Sequence, residues 1–179
     1  MRKFVLALAL SSAFAAPAMA EDFSGPYIGA GVTLDNVQGS GDVEGLGASG
    51  IGGTVFAGYD LALGQNAFVG LEANADLNTA DVELDTDELE TVEADWGWGV
   101  GGRIGYKLNA STALFARVGY ARNRVSADDV SAWADGVRYG VGLQTSLTQN
   151  VSLRAEFSQF NYEADVINNQ AALSLSYGF

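Results

Sequence analysis

The charged residues that alternate with apolar ones are the first candidates for chemistry in this sequence. Two glutamates and four arginines occupy such positions, namely Glu72, Arg103, Arg117, Arg138, Arg154 and Glu156. A pair of carboxylates could serve general acid/base catalysis. Neighbouring arginines give the same carboxylates a simpler role, which is to neutralise buried positive charge. The choice between these roles depends on whether the elements that carry the six residues bring them together.

Other reactive constellations are scarce. The sequence contains no cysteine and no histidine, so it lacks thiol chemistry and the commonest acid/base group and metal ligand. The Gly-x-Gly runs at 29–31 and 97–101 fit a period of two, and no helix pattern follows them as a phosphate loop would need. The acidic run from Asp81 to Glu93 offers carboxylates for a calcium site, but its spacing does not match an EF-hand. It is predicted to be a solvated loop, and no cofactor or metal is predicted.

The N-terminal segment predicts a secretory leader. Two basic residues precede an apolar run that extends from Phe4 to Leu10 and continues through small residues to Ala16. Ala18-Met19-Ala20 is a small-x-small cleavage pattern, and the run is too short for a spanning helix. We therefore predict a signal peptide at 1–20 and one mature domain at 21–179.

The predicted mature chain is strongly acidic. Without the two basic residues of the leader, seven Lys and Arg remain against 22 Asp and Glu, a formal charge of −15. This charge argues against nucleic acid as a partner. No mature segment offers 18 uninterrupted apolar residues, so no transmembrane helix is predicted. Many glycines, no cysteine and no helical periodicity favour an all-β protein.

Eight segments alternate between apolar and polar or small residues with a period of two, which predicts eight β-strands. Each has about the 9–11 residues that a tilted strand needs to cross a bilayer. An even number of strands is what a closed single-chain barrel in an outer membrane has. The predicted strands are Tyr27–Asp35, Ile51–Asp60, Ala67–Leu77, Asp95–Leu108, Thr112–Arg124, Gly136–Leu147, Val151–Tyr162 and Asn169–Phe179.

The predicted connections alternate between short and long. The short ones are Leu61–Asn66, Asn109–Ser111 and Thr148–Asn150, and the long ones are Asn36–Gly50, Asn78–Ala94, Val125–Asp135 and Glu163–Asn168. Outer-membrane barrels have short periplasmic turns and longer extracellular loops. This layout predicts an up-and-down antiparallel transmembrane β-barrel with both termini in the periplasm.

The two faces of the strands indicate which side meets lipid. A soluble barrel such as a lipocalin would bury its aliphatic faces and expose its charges. Here, five of the seven mature basic residues lie on the glycine-rich faces, together with Glu72 and Glu156. Aromatic residues lie on the aliphatic faces near strand ends, as interface girdles do. The predicted girdle residues are Tyr59, Trp96, Trp98, Tyr106, Tyr120 and Tyr139, with Tyr177 and Phe179 on the last strand.

With the strands placed, the chain resembles the small eight-stranded outer-membrane barrels of Gram-negative bacteria. It is similar to the opacity-protein-like group, often labelled "porin family", and to the transmembrane domain of outer membrane protein A. The motifs that carry the resemblance are Pro26-Tyr27-Ile28-Gly29-Ala30-Gly31, Phe56-Ala57-Gly58-Tyr59, Leu114-Phe115-Ala116-Arg117-Val118-Gly119-Tyr120, Val151-Ser152-Leu153-Arg154-Ala155-Glu156-Phe157 and Ser176-Tyr177-Gly178-Phe179.

The resemblance implies partners and excludes some activities. In the family, the last strand is read by the barrel-assembly machinery, which implies that role for Tyr177 and Phe179. Similar outer-membrane barrel enzymes use histidine together with serine or carboxylates. This chain has no histidine, so we expect it not to be an enzyme. The peptidoglycan-binding domain of outer membrane protein A has no counterpart here, so cell-wall tethering is not implied. We expect a monomer in outer-membrane lipid, with any extracellular partner unknown.

Three functions remain open from the sequence. The first is a structural, surface-exposed barrel with a lumen filled by side chains, because eight strands leave an interior about wide enough for side chains alone. The second is a narrow porin-like channel for ions or very small solutes. The third is an adhesin or surface-recognition protein that acts through its extracellular loops.

Counting along the strands predicts how the six charged residues meet. Glu72, Arg103, Arg117 and Glu156 lie five or six residues from the nearest short turn, which puts them at about one height inside the barrel, offset by its shear. We predict that Glu72 and Glu156 neutralise Arg103 and Arg117. Arg138 is expected above this layer and Arg154 below it.

Overall fold

The computed structural model describes residues 23–39, 47–81, 95–127, 130–162 and 166–179. The predicted signal peptide and the acidic run after Asp81 lie outside the described residues. Within these ranges, no helix is long and apolar enough to span a membrane.

The described chain forms a closed barrel of eight antiparallel strands in the order β1 to β8, which confirms the predicted fold class. The strands are β1 (Gly25–Gly39), β2 (Gly47–Leu63), β3 (Ala67–Asp81), β4 (Asp95–Lys107), β5 (Thr112–Ala127), β6 (Val130–Ser146), β7 (Val151–Tyr162) and β8 (Val166–Gly178). β1 pairs with β8 from Tyr27 opposite Gly178 to Gly39 opposite Val166. This pairing leaves no open sheet edge, which is required of a β-sheet that spans a lipid bilayer.

Most strands extend further than predicted at the end away from the short turns, and β2 also continues through Leu63 into the predicted short connection Leu61–Asn66. The segment Val125–Asp135, predicted to be a loop, instead continues the β5–β6 ladder up to Ala127 opposite Val130. Outside the bilayer a hairpin needs only backbone hydrogen bonds and no apolar alternation, so the sequence pattern could not reveal it. We call the end with residues 64–66, 108–111 and 147–150 the turn end, and the opposite end the loop end.

The two faces of the wall differ sharply in exposure. Outward side chains are mostly apolar and exposed, for example Leu71 (72%) and Val118 (59%). Inward side chains include the buried charged residues Glu72, Arg103 and Arg154. A soluble protein shows the reverse arrangement, so the outer face of this barrel is built for lipid and its lumen is the packed interior.

The outward residues of β5 set the height of the apolar belt. Leu114, Ala116 and Val118 face outward between Thr112 at the turn end and Arg122 at the loop end. Ten residues at ~3.3 Å each span about 33 Å along a strand. A tilt of about 40° reduces this to about 25 Å, the usual height of the apolar band of outer-membrane barrels.

The predicted girdle residues lie at both rims of this belt. Tyr59 and Tyr106 are exposed at the turn end, while Trp96, Tyr120 and Tyr139 are exposed at the loop end. Trp98 is half-buried because its ring packs against Tyr120, with ring centroids 5.7 Å apart. Amphipathic rings at these heights suit the boundary between apolar chains and headgroups.

The face assignment predicts the effect of a charge at mid-belt. We expect Val118→Arg to lower the free energy of unfolding by about 2–4 kcal/mol, because a cation at the bilayer midplane loses its hydration. Urea titration of the mature protein folded in phosphatidylcholine vesicles measures the change. The matched control is Asn161→Arg, an exposed position at the loop-end rim, where the cost should be about 0–1 kcal/mol. Equal costs at the two positions would contradict the assigned faces.

Candidate functional site

The centre of the lumen holds two carboxylates bridged by arginines. Arg154 on β7 donates from Nη1 to Glu72 Oε2 at 2.5 Å and from Nη2 to Glu72 Oε1 at 3.2 Å. The same Nη2 pairs with Glu156 Oε2. Arg117 on β5 donates to Glu72 Oε1 at 2.7 Å, and the same Nη1 lies 3.5 Å from Glu156 Oε1. Bidentate guanidinium–carboxylate geometry of this kind is the strongest form of ion pair.

The position of Arg154 differs from the prediction. Counting along β7 placed Arg154 below the carboxylate layer, but its guanidinium lies between Glu72 and Glu156. The Arg side chain is long, and Glu156 is two residues further on the same inward face. Barrel shear also brings Glu72 within reach across the lumen. Arg154 is therefore the common partner of both carboxylates, a role that residue counting alone did not assign to it.

Arg103 is held on the turn-end side of this centre. Its Nη2 lies 3.1 Å from Asp60 Oδ2 and donates to Gln144 Oε1 at 2.9 Å, and its Nη1 lies 3.5 Å from Glu72. Tyr27 donates its hydroxyl to Glu72 Oε2 at 2.9 Å. Neither Asp60 nor Tyr27 was predicted to join this network, although both share the inward parity of their strands.

Arg138 is held on the loop-end side. It donates from Nη2 to Glu156 Oε1 at 3.1 Å and to Gln170 Oε1 at 3.2 Å, and from Nε to Ser158 Oγ at 3.1 Å. Its Nη1 lies 3.9 Å from Asp76 Oδ2. Arg138 thus sits above the central layer, where the prediction put it. Asp76 was not expected to be its second carboxylate.

A further buried carboxylate lies beyond Arg138. Asp35 on β1 accepts hydrogen bonds from the amides of Asn168 (2.9 Å) and Gln170 (3.0 Å), both on β8. Its other oxygen accepts from the hydroxyl of Thr33 at 3.1 Å. These bonds tie the polar lumen to the β1–β8 seam that closes the barrel.

Aromatic rings fill the space between the charges. The Arg154 guanidinium lies 4.5 Å from the ring centre of Phe115 and 4.8 Å from that of Phe56. Arg103 lies 5.0 Å from Phe68, and Arg138 lies 4.7 Å from Phe160. Such cation–π contacts are stronger where water is excluded. The rings stabilise the guanidinium groups and occupy volume that water would otherwise fill.

Inward glycines make room for these rings. A Cβ at Gly105 would collide with the Phe68 ring, and one at Gly142 would collide with the Phe115 ring. This explains why glycine alternates with large residues on the inner faces. The lumen is narrow, so each large side chain needs a wall position without one.

The turn-end mouth of the lumen is covered by Phe23. Phe23 is 3% exposed and its ring stacks on Phe68, with centroids 6.0 Å apart. Gly25, at a φ of 106°, lets the chain turn between β1 and the residues that cover the mouth, since other residues rarely adopt this conformation. Phe23 was not predicted to be part of the lumen.

Every arginine of the lumen network has a carboxylate partner, whereas the fifth buried carboxylate, Asp35, is held by amides and a hydroxyl. Four arginines (Arg103, Arg117, Arg138 and Arg154) pair with four carboxylates (Asp60, Glu72, Asp76 and Glu156). The described residues include no group of three or more acidic, histidine or cysteine side chains suited to a metal ion. Glu72 and Glu156 are both occupied by arginine, which leaves neither as a free acid/base.

The predicted assembly residues lie at the seam on the outer face. Phe179 is 72% exposed, Tyr177 is 47% exposed, and their rings meet edge to face at 5.3 Å. The Phe179 amide donates to the Pro26 carbonyl at 3.1 Å, which joins the last residue to the first strand.

An apolar outer belt, aromatic rims and a charged, filled lumen define a transmembrane β-barrel. The model of the family described as "Outer membrane protein beta-barrel domain" matches residues 6–179. The chain belongs to this family and is an integral protein of the outer membrane, which confirms the resemblance found in the sequence.

Known proteins agree with this assignment. The 22 kDa outer membrane protein of Rhizobium leguminosarum bv. viciae is 31% identical over 121 residues, which cover 64% of this chain and 54% of that protein. The match therefore spans about half the length of this relative. Neisserial surface protein A has a TM-score of 0.61 at 15% identity, covering 87% of this chain and 98% of that one. The attachment invasion locus protein Ail of Yersinia pestis has a TM-score of 0.59 at 17% identity, covering 87% and 99%. At these identities the two structures show a shared fold.

The central layer predicts a large and coupled loss of stability. We expect Glu72→Gln to lower the free energy of unfolding by about 3–5 kcal/mol, because buried arginines lose their counter-charge. In a cycle with Arg154→Gln, the two single losses should exceed the loss of the double variant by about 0.5–3 kcal/mol. Urea titration in vesicles measures all three variants.

The control is an ion pair of the same chemistry on the outside. Arg122 Nε lies 3.1 Å from Asp135 Oδ1, and the two side chains are 39% and 40% exposed. Asp135→Asn should therefore cost at most about 1 kcal/mol. Strict additivity in the Glu72–Arg154 cycle would show that the two residues act independently.

Proposed function

We propose that this protein is a non-enzymatic structural barrel of the outer membrane whose lumen is closed to solutes. The observation that carries the proposal is the bridging of Glu72 and Glu156 by Arg154 across the lumen. A barrel closed by paired charges occupies and stiffens the membrane without conducting. Its surface role then falls to the segments at the loop end.

The ion pairs of the two central glutamates support a non-enzymatic role. Each central glutamate contacts at least two arginines. A carboxylate paired in this way is poorly suited to exchange protons with a substrate. The sequence contains neither histidine nor cysteine to take that role.

The filling of the lumen supports closure over the narrow-channel alternative. Phe23 and Phe68 cover the turn-end mouth, and Phe56 and Phe115 pack against Arg154 in the middle. A permanently open pathway would require these rings and guanidinium groups to leave the axis together. The channel alternative therefore makes the opposite prediction for conductance.

The orientation is part of the proposal. We place the turn end, with both termini, in the periplasm and the loop end at the cell surface, since outer-membrane barrels have their short turns on the periplasmic side. Tyr177 and Phe179 would then be accessible to the barrel-assembly machinery from the periplasm. The mature protein would work as a monomer.

Surface recognition remains a prediction from the sequence. The connecting segments at the loop end, among them residues 82–94, lie outside the described residues. The name of Ail refers to attachment and invasion by that protein, and the likeness to this chain concerns the fold.

Conductance tests the closed lumen. In planar bilayers the wild-type mature protein should show no steady conductance. The double variant Arg117→Gly with Arg154→Gly should open a cation-selective pathway, because two large side chains leave while Glu72 and Glu156 remain. Single-channel recording measures both conductance and selectivity.

The matched control removes the same guanidinium group from the outer face. Arg122→Gly should stay as closed as the wild type, because Arg122 lies outside the lumen. A steady ohmic conductance of the wild-type protein would refute the closed barrel and favour the channel.

Cysteine labelling tests the orientation. We expect Thr86→Cys, in the connection between β3 and β4, to react with a membrane-impermeant maleimide on intact cells. Gln149→Cys, in the turn between β6 and β7, should react only after the outer membrane is permeabilised. Labelling in the reverse pattern would place the turn end at the cell surface.

A further inference from the structure

All three tryptophans of the chain lie on one patch of the outer face. Trp96 and Trp98 are on β4, and Trp133 is on β6, with β5 between them. Strand register places Trp98 beside Arg122, and Arg122 beside Asp135. We call this surface the Arg122 patch, and its members are Trp96, Trp98, Tyr120, Arg122, Arg124, Trp133 and Asp135.

Contacts within the patch fix the direction of the Arg122 side chain. The Arg122 guanidinium lies 5.0 Å from the ring centre of Trp133. Asp135 lies 3.1 Å from Arg122 Nε and accepts a hydrogen bond from the Tyr120 hydroxyl at 2.6 Å. The pair is about two-fifths exposed, so the terminal guanidinium nitrogens can reach a further acceptor.

The patch lies where the apolar belt ends. Below Arg122 on β5, the outward residues down to Leu114 are Tyr120, Val118 and Ala116. On β7 the outward series changes in the same way from Phe157 to Gln159 and Asn161, which bond to Tyr139. A basic side chain just beyond the aromatic rim meets the headgroup layer of the bilayer.

The distribution of positive charge sets this patch apart. Of the seven basic residues in the described part of the chain, four arginines lie in the lumen network and Lys107 lies near Phe23 at the turn end. Arg122 and Arg124 are the two that face outward. The inward residue between them, Asn123, lies against Gly97. On a chain with a net charge of −13, the outward positive charge is concentrated at the loop-end rim.

We propose that the Arg122 patch binds the phosphate of an anionic lipid headgroup in the leaflet at the loop end. Guanidinium groups bind phosphate through paired hydrogen bonds. Cations near a membrane surface also attract anionic lipid electrostatically. The T-shaped pair of Trp96 and Trp133, with ring centroids 5.2 Å apart and each residue 43% exposed, supplies apolar area beside the charge. Asp135 holds the Arg122 guanidinium in place, and its negative charge moderates the affinity.

The position of the tryptophans provides a direct assay. The mature protein is folded into phosphatidylcholine vesicles that contain phosphatidylglycerol or phosphatidylcholine brominated on the acyl chains, at equal mole fraction. Because every tryptophan lies at the patch, quenching of the intrinsic fluorescence reports which lipid occupies it. We expect brominated phosphatidylglycerol to quench more strongly than brominated phosphatidylcholine. Added salt should reduce the difference by screening.

Variants separate the patch from general charge effects. Arg122→Gln should lower the relative association of phosphatidylglycerol about fivefold, the effect of one cation near the surface. Asp135→Asn should raise it, because the guanidinium loses its competing carboxylate. Lys107→Gln removes the same charge at the other end of the barrel and should change nothing. Arg124→Gln is a second variant in case Arg122→Gln folds poorly, and it should also lower the association.

Several outcomes would overturn the proposal. Equal quenching by the two brominated lipids in the wild type would show that the patch has no preference for an anionic headgroup. If Lys107→Gln lowered the association of phosphatidylglycerol as much as Arg122→Gln, the preference for the anionic lipid would come from the net charge of the protein and not from the patch. A fluorescence response to inorganic phosphate in plain phosphatidylcholine vesicles, equal to that of phosphatidylglycerol, would show that free phosphate rather than lipid is the ligand.

Discussion

The pairing of Glu72 and Glu156 with the arginines around them is the interaction on which the rest of the barrel depends. Charged side chains inside a narrow lumen lose most of their hydration, and burial of an unpaired ion is costly. Each arginine of the lumen therefore lies beside a carboxylate, and the carboxylates come from β2, β3 and β7. The network joins opposite sides of the wall, so the interior is held together by contacts that cross the lumen.

The wall adapts to this interior residue by residue. Large rings lie over the guanidinium groups, and glycines stand at the wall positions that the rings approach. The outer face follows a different requirement, because lipid offers no hydrogen-bond partners. Pairing of β1 with β8 gives the backbone groups of both strands hydrogen-bond partners. The apolar belt presents to the lipid side chains that need no such partner. A single alternation along each strand serves both requirements at once.

The fold is shared with barrels of diverse names, and it does not define a function by itself. The few positive charges of this chain fall into two groups. Four arginines pair with carboxylates inside the lumen, and Arg122 and Arg124 lie outside at the loop-end rim. This division separates the charges that cross the lumen from the positive charge on the outer surface at the loop-end rim.

The sequence by itself determined the number of strands, their order and the side of the wall that each residue faces. The period of two is a local property, so Val118 could be assigned to lipid and Arg117 to the lumen without any tertiary information. Asp60 and Tyr27 share the inward parity of their strands, but their position at the strand ends gave no reason to single them out.

Only the tertiary structure decided which charges meet and how far the strands extend. Pairing across the lumen depends on tilt, shear and side-chain length, which are properties of the closed barrel. Arg154 therefore lies at the centre of the carboxylate layer and not below it as predicted. Phe23, which was not predicted to belong to the lumen, covers the turn-end mouth. The hairpin of β5 and β6 beyond Arg124 was likewise invisible to the pattern, because backbone pairing in water requires no apolar alternation.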